Sequence, residues 1–173
     1  MNKEEVFKFL DSKGIEYVRL DHEPVYSMDD LVGMDMPVTN ANAKNVFVYD
    51  KKNDKYYLIT VHGDKKANLK KFKKDHGIKS LNFADDEQLA EVLDVVQGSV
   101  SPLSILNDKD HKVEFYLDKY FDKEDQLIAC HPNENTATIW LKVTDLMDLI
   151  RENGYEASFF SNVSFDFWLL NIY

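Results

Sequence analysis

The chain has 173 residues, 44% of them hydrophobic, with 31 acidic against 21 basic side chains and a formal net charge of −10. That length and balance describe one globular domain with a proper core and exclude a disordered chain. The acidic total excludes non-specific nucleic-acid binding over the whole surface, but not a localised site.

Lys3 to Lys13 places Val6, Phe7, Phe9 and Leu10 on one side, predicting a short amphipathic helix stopped by Gly14. Glu16 to Leu20 alternates like a strand, and Ser27-Met28-Asp29-Asp30 reads as a capped helix start. Gly33 to Asn42 is irregular. The clearest hairpin joins Asn45–Tyr49 to Tyr56–Val61 through the polar turn Lys52-Asn53-Asp54. Asn68 to His76 predicts a helix ended by Gly77, Ile78 to Phe83 a short strand, and Asp85 to Asp94 a helix opened by acids.

A loop of small residues follows, Gly98-Ser99-Val100-Ser101-Pro102, in which Gly and Ser let backbone amides approach a ligand closely. Val113–Leu117, Gln126–Cys130 and Thr136–Leu141 are further strands. Thr144 caps a last helix closed by Gly154, and Tyr155–Phe160 forms a final strand. Strands and helices interleave without repeats or linkers, so the class is α/β (α+β), one domain with a mixed β-sheet flanked by helices. The domain spans 1–162. Residues 163–173, with Phe165, Phe167, Trp168, Leu169 and Leu170, form an apolar extension suited to covering the sheet or a second subunit.

The start of the chain lacks a signal peptide's apolar run, and no stretch approaches the ~20 apolar residues of a membrane span. A single cysteine, Cys130, permits no internal disulfide or cysteine metal cage, so a cytoplasmic location is expected. No metal-ligand spacing, P-loop or GxSxG is present, and Ser99, Ser101 and Ser104 lack an identifiable His-Asp partnership.

Several residues carry two readings. Lys65, Lys66, Lys70, Lys71, Lys73 and Lys74 form a basic island, either a solvated helix face or a phosphate contact. Lys44, where the chain enters the hairpin, is either solvated or a substrate anchor. His22 and His131, each near a proline, either cap a loop or bind a substrate group.

Read together, His22-Glu23-Pro24-Val25-Tyr26-Ser27, Ala43-Lys44-Asn45-Val46-Phe47-Val48, Tyr56-Tyr57-Leu58, Leu81-Asn82-Phe83-Ala84, the Gly98–Pro102 loop with Asn107-Asp108, and His131-Pro132-Asn133-Glu134-Asn135-Thr136 are similar to one family. The chain resembles the YbaK/prolyl-tRNA synthetase-associated editing domains, particularly free-standing members that deacylate mischarged alanyl-tRNA(Pro). The resemblance runs from about Lys3 to Phe160, with Ser101 where threonine is common and Val46 and Val48 in place of leucine.

That resemblance implies a mixed sheet with flanking helices and a pocket for the 3′ end of aminoacyl-tRNA(Pro), with no metal or organic cofactor. It makes Lys44 and Asn45 the catalytic pair. Gly98, Ser99, Val100, Ser101, Pro102 and His131 become pocket residues, joined by Leu20, Val25 and Tyr26 from their position beside His22. The hydrolytic water would be positioned by backbone groups and a hydroxyl of the terminal ribose. The six lysines of the island would meet the acceptor stem, and prolyl-tRNA synthetase is a further partner. Cysteinyl-tRNA(Pro) and a non-catalytic module that binds the tRNA end are the alternatives. Oligomeric state is left open.

Overall fold

The computed structural model describes residues 1–24 and 40–163. Helix α1 (Lys3–Ser12) starts where Asn2 and Glu5 form a reciprocal capping box, and it buries Val6, Phe7 and Leu10. Gly14, at φ 67°, turns the chain into β1 (Tyr17–Asp21). The expected hairpin is formed by β2 (Ala43–Asp50) and β3 (Lys55–His62), paired in register from Ala43↔His62 to Asp50↔Lys55. Its turn is held by the buried Asp50 carboxylate, which accepts from Asn53 Nδ2 at 2.7 Å.

Helix α2 (Leu69–His76) has Asn68 as N-cap and Gly77 in the left-handed conformation at its end. The strand expected over 78–83 shrinks to β4 (Asn82–Phe83). Ile78 and Leu81 pack around Phe72 instead of entering the sheet, because the helix they follow already covers that face. The expected helix at 85–94 begins as one α-turn, α3 (Asp86–Gln88), capped by Asp85. It then widens into a π-turn over Leu89–Leu93 and stops at Asp94, φ 52°.

The remaining elements are a 3₁₀ segment (Pro102–Asn107), β5 (Val113–Asp118), a 3₁₀ turn (Lys119–Phe121), β6 (Leu127–Cys130), β7 (Ala137–Lys142), α4 (Val143–Glu152) and β8 (Ala157–Phe160). Thr144 does not cap α4. Strand β7 runs directly into the helix, so Lys142 holds the cap position and makes no side-chain bond there. The helix start expected at Ser27, and the apolar tail beyond residue 163, lie outside the described residues.

Two sheets form where one was expected. The larger, β4-β2-β3-β5-β8, is mixed: β4, β2 and β3 are antiparallel, while β3, β5 and β8 run parallel. The smaller, β1-β7-β6, is antiparallel. Strand β7 separates them, because Ala137, Ile139 and Leu141 point into the main core while Thr138 and Trp140 alternate to the other face.

The main core lies between the sheets, joining Phe47, Leu58, Phe115 and Leu117 of the large one to Ile128, Ile139 and Leu141 of the small one. Helix α2 covers the opposite face of the large sheet through Phe72, against Val48, Tyr57, Ile59, Val61 and Phe160. This central layer explains why Tyr56 to Val61 are all buried: β3 has a core on each side.

Candidate substrate-binding site

The three segments singled out in the sequence converge. Asn45 lies on the main-core face of β2, its Nδ2 donating to the Val100 carbonyl at 3.1 Å. Its Oδ1 accepts from Thr60 Oγ1, directly across the hairpin, at 2.6 Å. The amide therefore pins the Gly98–Pro102 loop to the sheet. Gly98 takes φ 88°, which a residue with a side chain would adopt only under strain.

Ser101 and Ser104 form a buried capping box for the 3₁₀ segment: Leu103 N donates to Ser101 Oγ at 3.2 Å and Ser101 N to Ser104 Oγ at 3.1 Å. Ser104 Oγ then donates to Asn133 Oδ1 at 3.0 Å, and Asn133 Nδ2 donates to the Met1 carbonyl at 2.9 Å. Loop, turn and the start of α1 are thus one hydrogen-bonded unit. Both serine hydroxyls are committed to that structure. Cys130 is buried beside Ser101, and burial pushes its thiol up to about 12, leaving an inert side chain.

The histidines meet on the outer face of the small sheet, ring centroids 6.5 Å apart. His131 Nδ1 is 3.1 Å from the Ala137 carbonyl. A carbonyl only accepts, so Nδ1 carries the proton and Nε2 presents a lone pair. Burial, and to a lesser degree the neighbouring His22, lower the pKa of His131 and keep it neutral. His22 Nδ1 lies 2.7 Å from the Glu23 carbonyl, to which it donates, and its Nε2 lies 2.8 Å from Thr138 Oγ1. Leu20, half-buried, pairs with Thr138 across β1 and β7, placing it beside these groups. Val25 and Tyr26 lie outside the described residues.

Lys44 and Asn45 are adjacent in sequence but point to opposite faces of β2. Lys44 is exposed and pairs with Val61, on the side covered by α2. Helix α2, which carries Lys70, Lys71, Lys73 and Lys74 of the basic island, covers that face, and the island divides in two. Lys65 Nζ is 3.6 Å from Asp118 and Lys71 pairs with Asp75 one helical turn on, so both are engaged. Lys66, Lys70 and Lys74 are exposed, with Lys73 half-exposed. Among the described residues no group of His, Cys, Asp or Glu could hold a metal ion, and no helix is long and apolar enough to cross a membrane.

Three participants escaped the sequence reading. Thr60, fully buried, orients Asn45; Thr138 bonds His22; Asn133 ties the turn to the loop at φ 64°. A single hydroxyl inside the apolar run Tyr56–Val61 was the available signal for Thr60. Asn133 stood within the His-Pro motif with no role assigned to it, and nothing local marked Thr138.

The hairpin, the small-residue loop and the His-Pro turn are thus hydrogen-bonded together within one α/β domain. A sequence profile of the aminoacyl-tRNA editing domain matches residues 22–149, and the chain belongs to that family. It is 34% identical over 152 residues to the prolyl-tRNA editing protein ProX of Acetoanaerobium sticklandii, covering 88% of this chain and 92% of that one. It is 33% identical to the mouse (Mus musculus) prolyl-tRNA synthetase associated domain-containing protein 1, over 79% of this chain and 82% of the relative. A solved structure described as a candidate trans-editing enzyme for prolyl tRNA synthetase superposes with a TM-score of 0.63 at 17% identity. The match covers 90% of this chain and 93% of that one, and it establishes the shared fold.

Proposed function

We propose that the protein is a free-standing, cytoplasmic aminoacyl-tRNA deacylase that hydrolyses alanine mischarged on tRNA(Pro), correcting errors of prolyl-tRNA synthetase. The observation that carries this reading is the bonded junction of Asn45, Val100, Ser104 and Asn133, which ties the hairpin, the small-residue loop and the His-Pro turn together. Family membership and the ProX relative support it from outside the geometry.

An aminoacyl ester is already activated, so hydrolysis needs a positioned water and a polarised carbonyl more than a strong base or a metal. The Val100 amide bonds to no described residue, and in this reading it donates to the ester carbonyl oxygen as charge develops there. Asn45 acts by tethering the loop through the Val100 carbonyl. His131 Nε2, an acceptor, receives the substrate's α-ammonium or a ribose hydroxyl. Lys44 and the exposed lysines of α2 share a sheet face, where they meet the phosphates of the acceptor end.

Selection follows from size. A synthetase pocket built for proline loses only ~1–3 kcal/mol when the smaller alanine enters, so it cannot reject it strongly. A second site too small for the proline ring completes the discrimination. The test compares release of amino acid from alanyl-, cysteinyl- and prolyl-tRNA(Pro) at equal concentration. Alanyl ester should be cleaved fastest and prolyl ester spared. Equal hydrolysis of alanyl and prolyl esters defeats the proofreading reading, and faster cysteinyl cleavage moves the substrate to cysteine.

A further inference from the structure

Along the hairpin from Asn45–Thr60, the next pair on the same face is Ala43–His62, about 7 Å further on at two residues of strand rise. There the His62 ring lies 3.9 Å from the Tyr120 ring, centroid to centroid. Lys123 Nζ sits 3.9 Å from the Tyr120 centroid and Lys65 Nζ 5.3 Å from it. The buried Asp118 carboxylate assembles the group. Its Oδ1 accepts from Tyr120 N at 3.1 Å, its Oδ2 from His62 N at 3.4 Å, and Lys65 stands beside it. Asp118 is thereby committed to its own partners. Lys123 is exposed and, among the described residues, has no carboxylate partner.

We propose that Tyr120, with Lys123 and bordered by the Lys65–Asp118 pair, binds one unpaired nucleotide of an RNA 3′ end, the residue next to the one held at Asn45 and Val100. This rests on the deacylase reading above and assigns it a second subsite. An aromatic ring with flexible ammonium groups over it is the pairing that single-stranded nucleic acid uses, a base on the ring and its phosphate on the cations. Lys123 leaves the ring face when the base arrives and moves to the flanking phosphate. His62 backs the platform from beneath the surface: its side chain is only 12% exposed, and burial lowers its pKa, so it is a neutral stacking partner. The exposed acids Asp122, Glu124 and Asp125 beside Lys123 in sequence suit the site to one phosphate and not to a long polyanion.

The test uses the full chain and two uncharged RNA hairpins with the same acceptor stem, one carrying the single-stranded 3′ overhang and one blunt. Tyr120→Leu should weaken binding of the overhang hairpin about tenfold, so that the preference for overhang over blunt RNA collapses. Tyr120→Phe keeps the ring and should keep the preference. Lys123→Gln should reduce the salt slope for the overhang hairpin by roughly 0.7. A folded Tyr120→Leu protein with the wild-type preference overturns the proposal, as does an equal loss on both hairpins, which marks a structural role. Hydrolysis of alanyl-adenosine by the unmodified protein decides the deacylase reading separately, because that substrate has no second nucleotide. Its absence sinks the deacylase alone, while the hairpin comparison still decides the nucleotide subsite.

Discussion

Asn45 and Val100, 55 residues apart in sequence, are joined by one hydrogen bond whose direction is forced. The Val100 carbonyl only accepts, so Asn45 must present Nδ2 to it. That leaves Oδ1 facing Thr60, whose hydroxyl donates. A buried threonine on β3 thus decides which end of the amide meets the loop.

Thr60→Val removes the donor with little change of volume, leaving Asn45 Oδ1 unpaired at a cost of about 1 kcal/mol. The larger effect should fall on turnover: kcat drops while KM changes little, because the loop amide loses its fixed position. Thr60→Ser restores a hydroxyl and should restore kcat. A Thr60→Val enzyme with wild-type kcat removes the positioning role, and so does failure of serine to rescue it.

Lys44→Ala should leave stability within ~0.5 kcal/mol, since the side chain is exposed. Deacylation of tRNA should fall by at least tenfold, a charge-assisted phosphate contact being worth ~1.5–3 kcal/mol. Thermal unfolding and single-turnover hydrolysis on the same preparation separate the two effects. Full activity in the folded variant returns Lys44 to the solvent.

The basic island should behave as two groups. Neutralising Lys66, Lys70 and Lys74 together should flatten the salt dependence of tRNA binding by two or three units, roughly one for each phosphate no longer neutralised. Neutralising Lys71, already paired with Asp75, should change it far less. Binding measured across a salt series distinguishes them, and identical slopes for the two variants refute the division.

Histidine titration supplies a pH test. Burial lowers the pKa values of both His131 and His62 below the ordinary value of about 6.5. The folded state therefore binds fewer protons than the unfolded chain below that pH, and stability falls as pH drops from about 6.5 through the folded values. Above that window the two histidines contribute no pH dependence. Deacylation should persist at mildly acidic pH and decline only when His131 takes up its proton. Ring-proton NMR gives the folded pKa values directly, and a His131 titrating above 6.5 contradicts the neutral-acceptor role.

Much of the local structure was legible in the sequence because local chemistry dictates it. Gly14 after α1, Asn68 with Gly77, and the β-rich runs around Lys52-Asn53-Asp54 each satisfy backbone groups within a few residues. The ordered motifs that resemble an editing domain were equally visible, and they pointed to the family. Tertiary packing decided the rest. Thr144 lost its cap because β7 runs unbroken into α4, and the strand at 78–83 shortened because Ile78 and Leu81 found a core around Phe72. The sheet divided in two because β7 buries one face against the large sheet and turns Thr138 and His22 outward. At the site, strand alternation sends the neighbours Lys44 and Asn45 to opposite faces of β2. Asn45 met Val100, and Ser104 met Asn133, only once the sheets had closed, because a side-chain hydrogen bond between distant segments has no signature in either segment alone.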